Sequence, residues 1–218
     1  MNQQDQHLEA LQDIRKIMQR SSRFISLSGL SGIAAGFWAL AGAAFAYNSI
    51  NAYYIKFDEQ GYTGQAFHLL KVNLILTAAI VLFASLLSAF YFTWKRAGRN
   101  NLPVWDHTSK LLCINLFIPL VAGGIFILTM LQQNEWRFVA PASLIFYGLA
   151  LVNGSKYTVS DIRYLGFLEI IIGLVNTQFI HYGLYFWALG FGLLHIVYGF
   201  LMWWKYERQV TLPSNATP

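Results

Sequence analysis

Between Tyr164 and Trp204 the chain runs for 41 residues without a lysine, an arginine or an aspartate. At about 1.5 Å per helical residue this is roughly twice the thickness of a hydrocarbon core of about 30 Å. The stretch therefore predicts two consecutive membrane spans joined by a tight turn near His181, Tyr182 and Gly183. A soluble strand or helix has no use for such a length of uninterrupted apolar chain.

Four further apolar segments precede it, giving six at roughly 25–48, 70–93, 111–131, 138–154, 164–180 and 183–204. Composition agrees. Of 218 residues, 56% are hydrophobic and only 11% charged, against about 25% charged in a soluble domain. The expected fold is an all-α, polytopic membrane helical bundle, with its transmembrane domain over 24–205 and a polar tail at 206–218. Ala44-Phe45-Ala46 resembles a cleavage site. However, the leader holds three acidic residues and its apolar stretch is too long for a signal peptide, so the first segment is read as a retained span.

Residues 1–23 form a separate unit. Leu8, Leu11, Ile14, Ile17 and Met18 recur at helical spacing. Acidic residues stand early and basic residues late, which suits the helix dipole. The pattern predicts an amphipathic helix lying on the membrane surface or packing on cytoplasmic loops.

The basic residues set the orientation. With the N-terminus inside, the inner segments carry 12 of the 15 lysines and arginines and the outer segments carry Lys56, Lys71 and Arg137. Both termini are therefore expected in the cytoplasm. The pI near 9.3 follows from these scattered loop cations, so nucleic acid is not an expected partner. The expected partners are the lipid bilayer and, beyond it, a second copy of the chain or another membrane protein. The polar segment at 51–68 reads as the longest outer loop.

Helix punctuation supports the spans. Thr158 and Asp161 have capping-box spacing, Pro141 falls in a first turn, and Asn153-Gly154-Ser155 closes the fourth segment. Pro119, inside the third, predicts a kink.

Bundles in lipid pack through small residues that let backbones approach. Here Gly29, Gly32 and Gly36 stripe the first segment, Gly166 and Gly173 flank Glu169 in the fifth, and Gly192 and Gly199 flank His195 in the sixth. The glycines of the first segment suit either a dimer or contacts within one chain.

Glu169 is the one acidic residue inside any long apolar run. Its glycine neighbours put it on a protein-facing stripe, because a charge facing lipid is costly. About a turn at Tyr182, Glu169 and His195 are each 13 residues away. They should therefore share one membrane depth on the small faces of adjacent antiparallel helices. Asn73, Thr77, Ser85, Ser88, Asn115 and Tyr147 are polar groups that could join them. Two readings follow: a buried pair that fixes helix register, or a proton or cation site in which His195 tunes the carboxyl.

Enzymatic signatures are absent. There is no H-E-x-x-H, no G-x-S-x-G and no Walker loop. The single Cys113 permits no internal disulfide and no cysteine metal motif, and His195 is the only mid-span histidine, too few for a membrane haem. No metal, cofactor or catalytic residue is expected. Asp106-His107 reads as a solvated or capping pair rather than a site, and Lys95, Arg96, Arg99 and Lys110 around it favour anionic headgroups.

The runs NGSKYTVSDIRYLGFLEIIIGLVNTQF, HYGLYFWALGFGLLHIVYGFLMWWKYE and LQDIRKIMQRSSRFISLSGLSGIAAG resemble a group of small six-span bacterial membrane proteins of the kind seen in Bacteroidetes. This implies a bacterial inner-membrane location and no particular activity. The glycine-framed hairpin 164–204 is also similar to hairpins in acid-resistance membrane proteins of the HdeD type.

Overall fold

The computed structural model describes residues 27–61, 64–100 and 103–208. The amphipathic segment expected at 1–23 and the tail beyond 208 lie outside the described residues. What is described is all-helical. The elements are α1 (Gly29–Gln60), α2 (Gly64–Arg99), α3 (His107–Gln132), α4 (Val139–Gly154), α5 (Asp161–Gln178), the short α6 (Gly183–Trp187), a π-helical segment (Ala188–Leu194) and α7 (His195–Tyr206). The last three follow one another without a break and form one sixth span. In lipid every backbone N–H and C=O must be bonded within the protein, which leaves helices as the solution for apolar runs of this length.

Five of these six rods are long and apolar enough to cross a membrane. The exception is α5, which has 18 residues including Asp161, Arg163 and Glu169. It is a membrane helix by its packing rather than by its hydropathy.

The rods pack as antiparallel pairs. Gly42 of α1 sits against Val81 of α2, and the Trp38 indole donates to Ser88 Oγ at 3.1 Å. Gly123 of α3 lies against Phe146 of α4, and Gly154 of α4 against Leu112 and Leu116 of α3. The α4–α5 seam is tighter. A Cβ on Gly148 would stand 2.6 Å from Gly166 O, and one on Gly173 would stand 3.0 Å from Pro141 O. The sixth span lies along α1: a Cβ on Gly36 would be 2.6 Å from Gly192 O, and one on Gly199 would be 2.7 Å from Gly29 O. Thus α1, α4, α5 and the sixth span form the centre. By contrast, α2 leans on α1 and α3 on α4, each leaving an apolar face outward. A core of Leu151, Val159, Ile162, Leu165 and Met202 ties α4, α5 and α7 together.

Several expectations are corrected. The segment 51–68 is not a loop: α1 continues to Gln60 and α2 begins at Gly64, around Gly61 at φ 76°. The two helices keep packing past the apolar runs, with the Tyr53 and Phe67 rings 5.9 Å apart, and weakly charged polar residues do not oppose a helix. The glycines of the first segment line an intramolecular contact with the sixth span. Gly166 and Gly173 of α5 face α4, and Gly192 and Gly199 of the sixth span face α1, so neither pair lines a seam between the fifth span and the sixth. Capping also differs. Ser160 is the N-cap of α5 and makes no side-chain cap bond there, while Asp161 accepts from Tyr206 Oη at 2.6 Å and from Lys205 Nζ at 3.2 Å. Asp106 does cap α3, in a reciprocal box with Ser109 at 2.7 Å in each direction.

Candidate functional site

Glu169 is completely enclosed, with 0% of its surface exposed. Gly166 and Gly173, one turn to either side, press α5 against α4 and leave the carboxyl pointing into the remaining gap at the π-helical segment. There Gly190 makes room for it: a Cβ on Gly190 would stand 2.5 Å from Glu169 Oε2 and 2.5 Å from Leu144 Cδ2. His195 follows the π segment and is 7% exposed. Its Nδ1 lies 3.5 Å from Glu169 Oε1 and 3.0 Å from Gly190 O. Its Nε2 lies 2.8 Å from the Tyr147 hydroxyl of α4. The rings of Tyr147 and Phe191 flank the imidazole, with centroids 5.3 and 6.0 Å from its own.

Three elements therefore converge: α4 supplies Tyr147 and Leu144, α5 supplies Glu169, and the sixth span supplies Gly190 and His195. On the far side of the sixth span Gly32 backs the cluster, since a Cβ there would be 3.2 Å from His195 O. The π segment belongs to the site. A π turn widens the helix, and such turns recur where a side chain must be re-aimed. Here the ring of His195 returns to the carbonyl of Gly190 within that turn.

The hydrogen bonding is lopsided. Both ring nitrogens of His195 have partners, yet among the described residues neither Glu169 oxygen has a hydrogen-bond partner, and neither does Oδ1 of Asn176, two turns along the same face of α5. The Asn176 amide donates to Phe179 O at 3.1 Å. An enclosed carboxylate with no donor on either oxygen is expensive. Two proton placements fit the same heavy atoms. In one, Tyr147 donates to Nε2, Nδ1–H donates to Gly190 O, and Glu169 carries a proton. In the other, the imidazolium donates to Tyr147 through Nε2 and faces Gly190 and Glu169 through Nδ1. The two placements differ in which member of the pair carries the titratable proton.

Of the polar groups expected to join the pair, only Tyr147 is hydrogen-bonded to it among the described residues. Thr77 donates to Asn73 O, Ser88 accepts from Trp38, and Asn115 donates to Leu111 O. Among the described residues no group of three His, Cys, Asp or Glu gathers to hold a metal ion.

A second cluster had no sequence signal, because its two charged residues, opposite in sign, stand 111 residues apart. At the end of the bundle where the described chain begins and stops, Glu207 accepts from Gly29 N at 2.6 Å and from Ser28 Oγ at 3.1 Å. Arg96 of α2 lies 3.5 Å from the same carboxylate and donates to Leu27 O and to Tyr206 O. The two charged side chains are only 8% and 11% exposed. A residue from the end of the sixth span thus caps the first helix, where a carboxylate suits the free N–H groups. Gly190, Gly148 and the π segment were likewise outside the sequence reading. Gly190 breaks the three-and-four spacing by which the other glycines were found.

Compared with known proteins, the chain matches no protein-family model, no curated protein and no solved structure.

Proposed function

We propose that this chain is a non-enzymatic component of a bacterial inner membrane, with both termini in the cytoplasm, whose role is structural or regulatory. The Glu169–His195–Tyr147 cluster serves it by fixing how the sixth span registers against α4 and α5. The observation that carries this reading is the complete enclosure of Glu169 between three helices. A carboxyl that water cannot reach suits a register device, because a misaligned neighbour would leave it facing lipid. The test is a double-mutant cycle on the protein in detergent micelles. Glu169→Gln and His195→Gln should each lower unfolding stability, with a coupling of roughly 0.5–3 kcal/mol between them. Strictly additive losses would overturn the reading.

One observation favours a second reading, a small proton-linked transporter or channel subunit. Among the described residues the Glu169 oxygens have no hydrogen-bond partners, and they face a π segment, an arrangement that suits a carboxyl exchanging a proton beside His195. Proteoliposomes under a pH gradient decide this. Proton flux lost in Glu169→Gln supports it, whereas flux absent from the wild type, or unchanged in the variant, removes it.

A further inference from the structure

The fifth and sixth spans run antiparallel about the turn at Ile180–Tyr182, and one register relates them at two levels. Gly190 faces the Glu169 carboxyl. Gly183, seven residues before Gly190, faces Asn176, seven residues after Glu169: a Cβ on Gly183 would stand 3.3 Å from Ala140 Cβ and 4.0 Å from Asn176 Oδ1. Seven residues are about 10 Å of helix, so one stripe of α5 carries two polar side chains at successive depths, each opposite a glycine. Both are 0% exposed. Glu169 Oε1 and Oε2 and Asn176 Oδ1 are acceptors without a donor among the described residues. The Asn176 amide cannot be turned over to change this, because its nitrogen donates to Phe179 O in the turn. Internal water, which binds at otherwise unsatisfied buried polar groups, or an ion accounts for such atoms.

In the other direction the stripe is apolar. Ile162 stands seven residues before Glu169 and Leu165 one turn before it, and both are buried in the core with Leu151, Val159 and Met202. Leu165 and Met202 are each 4% exposed. Tyr147 packs against this core, but its hydroxyl is engaged by His195. An apolar plug thus separates Glu169 from the Asp161 end of α5, while a polar group separates it from the turn.

We propose that Asn176 is the entry residue for the proton exchanged at Glu169: the site opens to water at the turn, past Asn176 and Gly183, and stays sealed toward Asp161. The species admitted is a hydrogen-bond donor, water or hydronium, since each unpartnered oxygen on this stripe accepts. A proton arriving on water passes to a Glu169 oxygen and leaves by the same route, and no other bond changes. The inference rests on the second reading above, proton exchange at Glu169, for its purpose, and on the shared register of the two spans for its direction.

Thiol modification of the full chain in proteoliposomes tests the route, with Cys113→Ser removing the native cysteine and a cationic methanethiosulfonate present on both sides of the membrane. The reagent needs a thiolate, which forms where water reaches. Val175→Cys lies at nearly the same depth as Asn176→Cys but faces lipid, at 41% exposure, and Leu165→Cys lies in the plug. Asn176→Cys should react at least about tenfold faster than either, the loss of thiolate for each pKa unit that apolar burial adds. Gly183→Cys, whose side chain faces the same gap, should react as Asn176→Cys does and serves if that variant fails to fold. Reaction at Asn176→Cys and Gly183→Cys as slow as at Val175→Cys overturns the proposal, as does faster reaction at Leu165→Cys. Fast reaction at Asn176→Cys in a protein whose wild type carries no proton flux removes the second reading but upholds the water route. Flux together with slow reaction removes the route alone.

Discussion

The side-chain amide of Asn153 donates to the main-chain carbonyl of Asn115 at 2.8 Å, the carbonyl that Pro119 leaves without a helical donor. Proline has no N–H to give the residue four before it, and in lipid no water can replace it. A side chain from α4 therefore completes the backbone of α3. Asn153→Leu should cost about 1–3 kcal/mol of unfolding stability. Adding Pro119→Ala, which restores the missing N–H, should recover most of it. Equal losses from Asn153→Leu with and without the proline would show that the bond is incidental.

The packing of Gly190 against the Glu169 carboxyl makes a steric prediction. Gly190→Ala should destabilise by about 1–3 kcal/mol, as overpacking does, since its Cβ would meet Glu169 Oε2 and Leu144 Cδ2. Gly124→Ala, with nothing within 4 Å of its Cβ, should be neutral or slightly stabilising, because alanine is the better helix former. Thermal melts in detergent compare the two.

The glycines between α1 and the sixth span should matter within a single chain. Gly36→Leu and Gly199→Leu would each push α1 from the sixth span, and both should lower the melting temperature. That loss should not vary with protein concentration. A loss that shrinks as the protein is concentrated would place these glycines at a dimer contact instead.

Arg96 and Glu207 are both nearly buried, so removing one strands the other. Arg96→Met or Glu207→Gln alone should each be strongly destabilising, by up to about 3–5 kcal/mol, and the double variant should be milder than the sum. Chemical unfolding of the four proteins measures this. Additive effects would mean that the carboxylate acts only on the N-terminus of α1.

Asp161 precedes the apolar stretch of α5. Burial alone would raise its pKa, but the hydrogen bonds from Tyr206 and Lys205, with the lysine's charge, lower it overall. A carboxyl that binds its proton less readily when folded stabilises the fold above the ordinary aspartate range, near about 3.9. That contribution disappears as pH falls through the lowered folded value. Stability of the wild type should therefore drop on acidification below that range more steeply than that of Asp161→Asn. Parallel pH profiles would exclude the contribution.

Much of this protein follows from its sequence because the membrane is an unforgiving solvent. An apolar run of span length has one conformational solution in lipid, so the helices at 139–154 and 183–206 start or end close to where the apolar residues do. Glycines at steps of three and four identify close-packed faces for the same reason, and the common distance of Glu169 and His195 from Tyr182 follows from a fixed rise per residue. Tertiary structure alone decided which face meets which. The stripe of α5 turned to α4, and that of the sixth span to α1, because Gly148, Gly166 and Gly173 interlock at one seam and Gly29, Gly36, Gly192 and Gly199 at the other. Periodicity marks a face as small but carries no name for its partner. It also carries no sign of the π segment that brings Gly190 under the Glu169 carboxyl, nor of the pairing of Arg96 with Glu207 across 111 residues. Those contacts arise from side chains meeting between helices, after the helices themselves are already determined.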